Sequence, residues 1–146
     1  MMKRVLAGLL TVMLFLTCVP AALAADNSRD FFFQLSVDGS DKKEVQPGDI
    51  IQVDFNLNRT DSADAYTMYG MQNEIRYDSN FFQLVEGSAL LSNGISTTDI
   101  GLRDNYREFY MNFVSLSGGE TWEAKRLVGS FKLKVIATSG VSKITN

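Results

Sequence analysis

Ile51-Gln52-Val53-Asp54-Phe55-Asn56-Leu57 decides the fold. Four apolar side chains alternate with three polar ones, the period of an extended strand with one face in a core and one in water. Pro47-Gly48 supplies a turn before it. The same signature recurs on both sides. Phe31, Phe33, Leu35 and Val37 alternate against Phe32, Gln34 and Ser36. Met71, Ile75 and Tyr77 share a parity opposite Gln72, Glu74 and Arg76. Phe109, Met111 and Phe113 form another set, and Leu127, Phe131, Leu133 and Val135 a further one, with Lys132 and Lys134 facing the other way. Breakers separate the runs: Asp38-Gly39-Ser40-Asp41, residues 58–64, Ser92-Asn93-Gly94 and Ser117-Gly118-Gly119. The apolar spacing of a helix never persists over about 12 residues. The nearest approach, residues 62–70, reads as a turn or a single helical turn.

Strands with one apolar face and no helix to cover them must bury those faces against each other. The expected class is therefore all-β, a two-sheet antiparallel sandwich. One-sided alternation also argues against a parallel sheet, whose strands are apolar on both faces.

Composition removes whole classes of chemistry. The 146 residues contain no histidine, which excludes imidazole bases, Ser-His-Asp and Cys-His nucleophiles and His-ligated zinc. One cysteine, Cys18, makes no internal disulfide or thiolate metal cluster. Seventeen acids against fourteen bases are the wrong balance for a phosphate-backbone binder.

Met1-Met2-Lys3-Arg4, an apolar run over residues 5–18, Pro20 and Ala22-Leu23-Ala24 read as a secretory signal over residues 1–24. The run is too short for a membrane span of about 20 residues. Without it, residues 25–146 form one module with no cysteine; Lys3 and Arg4 leave, so twelve bases face seventeen acids, a balance of −5. Extracellular or cell-surface placement follows, with no nucleic acid and no membrane as partner.

Three blocks then resemble a cohesin domain, the dockerin-binding jelly-roll sandwich of cellulosome scaffolds. They are Val45-Gln46-Pro47-Gly48-Asp49-Ile50-Ile51-Gln52-Val53-Asp54-Phe55, then Gly70-Met71-Gln72-Asn73-Glu74-Ile75-Arg76-Tyr77-Asp78-Ser79-Asn80-Phe81-Phe82-Gln83-Leu84-Val85, and Leu127-Val128-Gly129-Ser130-Phe131-Lys132-Leu133-Lys134-Val135 with Thr138-Ser139-Gly140. The Tyr77-Asp78 block is the most specific. It suits a strand end where the ring closes the core and the aspartate caps the turn at Ser79-Asn80. Two departures stand out. Residues 141–146 are barely long enough to pair, so the family's final strand is expected short or missing. Asn73 holds an inward parity, so it requires a partner or a bulge in its strand.

The resemblance implies a binding face on the strands around residues 70–77, 97–102, 106–115 and 128–136. Parity places Gly70, Gln72, Glu74 and Arg76 there, with Tyr110 and Asn112, and with Ser130, Lys132 and Lys134. It implies a dockerin-type protein module as partner and no catalysis. A polysaccharide is the alternative ligand, stacked on Trp122, Tyr66, Tyr69, Tyr106 or Tyr110; Trp122 stands in a polar loop, where it either binds sugar or folds back over the open end of the sandwich. A structural spacer is the third reading. Glu74, Asp78, Glu86, Glu120 and Glu123 offer acid pairs, and nothing places two of them in a cleft. No cofactor is expected. Calcium has only Asp38 with Asp41, or Asp61 with Asp64, pairs of oxygen ligands without a recognised loop.

Overall fold

The computed structural model describes residues 30–146; the leader read at residues 1–24 lies outside them. Each alternating run becomes a strand. In chain order these are β1 (Phe31–Val37), β2 (Ile50–Arg59), β3 (Tyr66–Met68), β4 (Gly70–Asp78), β5 (Phe82–Leu84), β6 (Leu90–Leu91), β7 (Ser96–Arg103), β8 (Tyr106–Val114), β9 (Glu120–Trp122), β10 (Lys125–Val135) and β11 (Ile144–Thr145).

One sheet has the order β1-β2-β10-β5, with β6 also on β10; the facing sheet runs β11-β4-β8-β7, and β3 and β9 form a small ribbon. Every pairing is antiparallel. The chain passes from one sheet to the other between β2 and β4, β4 and β5, β6 and β7, β8 and β10, and β10 and β11. This shuttling is the jelly-roll arrangement of an all-β sandwich.

Alternation built the core. Ile51, Val53, Phe55 and Leu57 are buried on β2, Met71, Ile75 and Tyr77 on β4, Phe109, Met111 and Phe113 on β8, and Phe131, Leu133 and Val135 on β10. Phe109 and Phe131 meet edge to face across the two sheets, centroids 5.1 Å apart. Tyr77 closes the core as expected, and the Asp78 carboxylate accepts the Asn80 N–H at 2.8 Å in the turn that follows.

Three local expectations need correction. Leu127 does not share the parity of Phe131: the register of β10 against β2 slips between Leu127 and Gly129, so Leu127 is exposed and Val128 buried. A bulge adds one residue and reverses the faces on one side of it. Residues 62–70 hold no helical turn but the strand β3, and the supposed loop around Trp122 is β9, paired with it. Residues 141–146 contribute a two-residue strand: Ile144 and Thr145 pair with Tyr77 and Arg76.

Asn73 has neither of the remedies expected for it. The β4–β8 register runs unbroken through Asn73↔Met111, and the buried Nδ2 has no hydrogen-bond partner among the described residues. An unsatisfied buried amide costs about 1–3 kcal/mol. Asn73→Leu, similar in size and without the orphaned donor, is therefore expected to raise the unfolding free energy by about 1–2 kcal/mol; a urea midpoint unchanged or lowered would show that Nδ2 is satisfied in solution.

Candidate functional site

Strand β8 lies between β4 and β7 in the β11-β4-β8-β7 sheet, and its inward residues fix what its other face presents. Because Phe109, Met111 and Phe113 point into the core, Tyr106, Glu108, Tyr110, Asn112 and Val114 point out. Register then sets their neighbours. Arg76 stands opposite Glu108, Glu74 opposite Tyr110, Gln72 opposite Asn112 and Gly70 opposite Val114 on β4; Ser96 and Thr98 face Asn112 and Tyr110 from β7.

These side chains form a bonded network rather than a scatter of solvated groups. The Tyr110 hydroxyl donates to Glu74 Oε2 at 3.1 Å, and the same carboxylate pairs with Arg76. The Tyr110 phenol is held above its usual range because its protonated form donates a hydrogen bond to the Glu74 carboxylate. Glu108, buried although it belongs to the outer face, lies 3.7 Å from Arg76 and 3.8 Å from Arg103. Arg76 also covers the Tyr106 ring, 5.3 Å from its centroid. Asn112 Nδ2 donates to Thr98 Oγ1 at 3.1 Å. Two acids and two arginines neutralise one another at this end of the face. Toward the other end, Val114 and Tyr69 are exposed, 69% and 62%.

At the rim Arg107, of inward parity, donates to Asp99 and lies 3.6 Å from Glu86 on the opposite sheet's β5–β6 connection. Arg107 holds the Asp99 carboxyl below its usual range, helped by the Gly101 N–H at 2.7 Å, and Asp99 in turn raises the guanidinium. This bridge ties the two sheets together beside the outer face.

Six of the nine residues assigned to one binding face share it: Gly70, Gln72, Glu74, Arg76, Tyr110 and Asn112. Ser130, Lys132 and Lys134 do not. Their strand, β10, is the centre of the other sheet, between β2 and β5, so both lysines emerge on the opposite side of the sandwich. Ser130 is not accessible at all: it is 3% exposed, between Asp54 of β2 and Leu90 of β6 in register. Parity along one strand tells which residues share a face and is silent on which sheet the strand joins. The sequence reading did not list Thr98, Arg103 or Glu108. The parity of Glu108 with Tyr110 was the available signal for it.

Of the five aromatic residues considered for sugar stacking, Trp122 and Tyr66 pack inward and three do not. Trp122 is fully buried, packed on Phe113 with centroids 4.8 Å apart, and Arg126 covers it at 4.0 Å. It cannot stack on a sugar, because β9 turns the ring into the core, the folded-back alternative. Tyr66 is half-buried against Phe31, centroids 4.8 Å apart. Tyr69 is exposed between β3 and β4, while Tyr106 and Tyr110 belong to the outer face of β8. One aspartate of each pair weighed for calcium is engaged by a cation: Asp38 by Lys43, and Asp61 by Arg59 at 2.6 Å.

No family model matches the chain, and no curated protein matches it in sequence. Among solved structures it is similar to the seventh ScaB type I cohesin from Pseudobacteroides cellulosolvens, with a TM-score of 0.54 at 12% identity over 78% of this chain and 73% of that one. A type II cohesin domain from the cellulosome of Acetivibrio cellulolyticus aligns with a TM-score of 0.49 at 17% identity, over 78% of this chain and 72% of that one. The order of two facing antiparallel sheets described above is thus the fold of a cohesin domain.

Proposed function

We propose that this chain is a non-catalytic, secreted binding module that takes a dockerin-type protein module on the outer face of β4, β8 and β7, within an extracellular polysaccharide-degrading or cell-surface assembly. The observation that carries the reading is the bonded face itself. Glu74, Arg76, Glu108 and Tyr110 are held in one arrangement by each other before any partner arrives, so little side-chain entropy remains to be lost on docking. Tyrosine and arginine are also the side chains that dominate protein interfaces when they sit near the centre. The likeness in fold to a type I cohesin supports the same choice of partner. The burial of Trp122 and the packing of Tyr66 against the core leave the polysaccharide alternative only Tyr69, Tyr106 and Tyr110.

The test is capture of the chain by a panel of immobilised dockerin modules, run beside polysaccharide affinity gels. Tyr110→Ala is expected to weaken capture by about 30-fold or more, the effect of losing a central hot spot worth about 2 kcal/mol. Lys132→Ala and Lys134→Ala, on the opposite sheet, are expected to leave it unchanged. Retention on a glycan gel with no dockerin captured would overturn the reading.

A further inference from the structure

Gly70 is a glycine that the fold does not ask for. Among the described residues every other glycine except Gly129 has a positive φ, where a side chain is strained. Gly129 is closed by packing: a Cβ there would stand 3.1 Å from Leu91 Cδ2, 3.2 Å from Met111 Cε and 3.3 Å from the Leu90 carbonyl oxygen. At Gly70 the backbone is that of a strand, and a Cβ would meet only the Phe113 carbonyl oxygen at 3.6 Å, an ordinary contact. The ladder is bonded on both sides of it. Met71 stands opposite Phe113, and the Ser115 N–H donates to the Tyr69 carbonyl at 2.8 Å. Glycine in a paired strand packs no side chain and keeps more freedom in the unfolded chain, so it weakens the strand. One that neither backbone nor crowding requires leaves room for a group that approaches from outside.

The neighbours of this gap on the outer face carry no charge. Val114 stands directly across the ladder and is exposed, and Gln72 and Asn112 are the next outward residues on β4 and β8. Leu116, two residues past Val114, is almost wholly exposed. The charges of the face begin farther along, where Glu74 pairs with Arg76, and Glu108 lies between Arg76 and Arg103. They satisfy one another, so none is left over to attract an ion to the gap.

We propose that the space over Gly70 seats an aliphatic side chain of the partner module, an assignment that rests on reading the outer face as a dockerin site. The gap is continuous with that face, since Gly70 shares its strand and parity with Gln72, Glu74 and Arg76. An aliphatic group brought there covers Val114 and takes the place of the side chain that β4 lacks. A lysine or glutamate brought there would lose water and meet no opposite charge. An apolar anchor in a gap, ringed by amides and a bonded polar network that keep water out, is the arrangement in which few contacts carry most of the affinity.

Filling the gap from the strand itself tests this. Gly70→Ala, Gly70→Val and Val114→Thr are made in the full chain, and each is measured for thermal unfolding and for capture by the panel of immobilised dockerin modules. Both Gly70 variants are expected to unfold at the native temperature or above it, because the site accepts a Cβ and valine favours strands. Capture is expected to fall about threefold with Gly70→Ala and about tenfold or more with Gly70→Val, whose side chain occupies the partner's place. Val114→Thr keeps the shape of the wall and adds a hydroxyl, so capture is expected to fall about threefold. Should Gly70→Val unfold more easily than the native chain, Gly70→Ala decides. Gly70 variants captured as tightly as the native chain, while Tyr110→Ala is not, would show the gap empty in the complex and overturn the assignment with the site itself intact. Undiminished capture of Val114→Thr would overturn the aliphatic identity of the group. If no dockerin captured the native chain, the reading of the site would fall and the assignment with it.

Discussion

Trp122→Ala is expected to cost about 3–5 kcal/mol of folding free energy, a large part of what a domain of this size has. The ring is fully buried, stacks obliquely on Phe113 and is covered by Arg126. Its removal leaves a cavity at the end of the sandwich, where β9 and β3 form a ribbon of three paired residues that Trp122 holds to the core together with Tyr66 and Met68. Trp122→Phe is expected to recover most of the loss, because the indole N–H has no partner in the core and forfeits no hydrogen bond when it goes. Chemical denaturation followed by far-ultraviolet dichroism measures both. If Trp122→Ala cost less than about 1 kcal/mol, the ring would be solvated rather than buried, and sugar stacking would have to be reconsidered.

How this residue was misplaced shows what the sequence could and could not carry. Gly118-Gly119-Glu120-Thr121-Trp122-Glu123 reads as a polar loop because a three-residue strand contains too little alternation to register, and the partner that orders it, Tyr66-Thr67-Met68, lies more than fifty residues earlier. Long strands were legible for the opposite reason. In β2, four alternate residues are buried and all four were readable from their spacing. Leu127 failed because period-two reading assumes an unbroken ladder, and the bulge before Gly129 is imposed by pairing with β2, not by any residue pattern within β10. The candidate face divided along the same line. Gly70, Gln72, Glu74 and Arg76 were placed correctly with Tyr110 and Asn112, since parity fixes a face once β4 and β8 are neighbours. Ser130, Lys132 and Lys134 were joined to them by resemblance, and only the sheet order separates them.

Phe131→Ala is expected to cost a further large amount, about 3–4 kcal/mol, and a double-mutant cycle with Phe109 distinguishes why. Phe131 lies on the central strand of one sheet and Phe109 on the central pair of the other, so their edge-to-face contact joins the two layers at mid-sandwich. The pair should show a coupling of about 0.5–1.5 kcal/mol beyond the loss of buried area. Additive losses would mean that the rings contribute only separate burial. The cycle bears on the outer face as well. Glu108 and Tyr110 flank Phe109 on the same strand and point away from it, so the ring that anchors β8 to the core also holds the strand that carries the Glu74–Tyr110 bond. Phe109→Leu, which keeps most of the apolar volume, is expected to retain the fold and to weaken dockerin capture by less than about threefold, whereas Tyr110→Ala weakens capture without comparable loss of stability. Opposite orders of effect on stability and capture would separate a residue that supports the face from one that makes the contact.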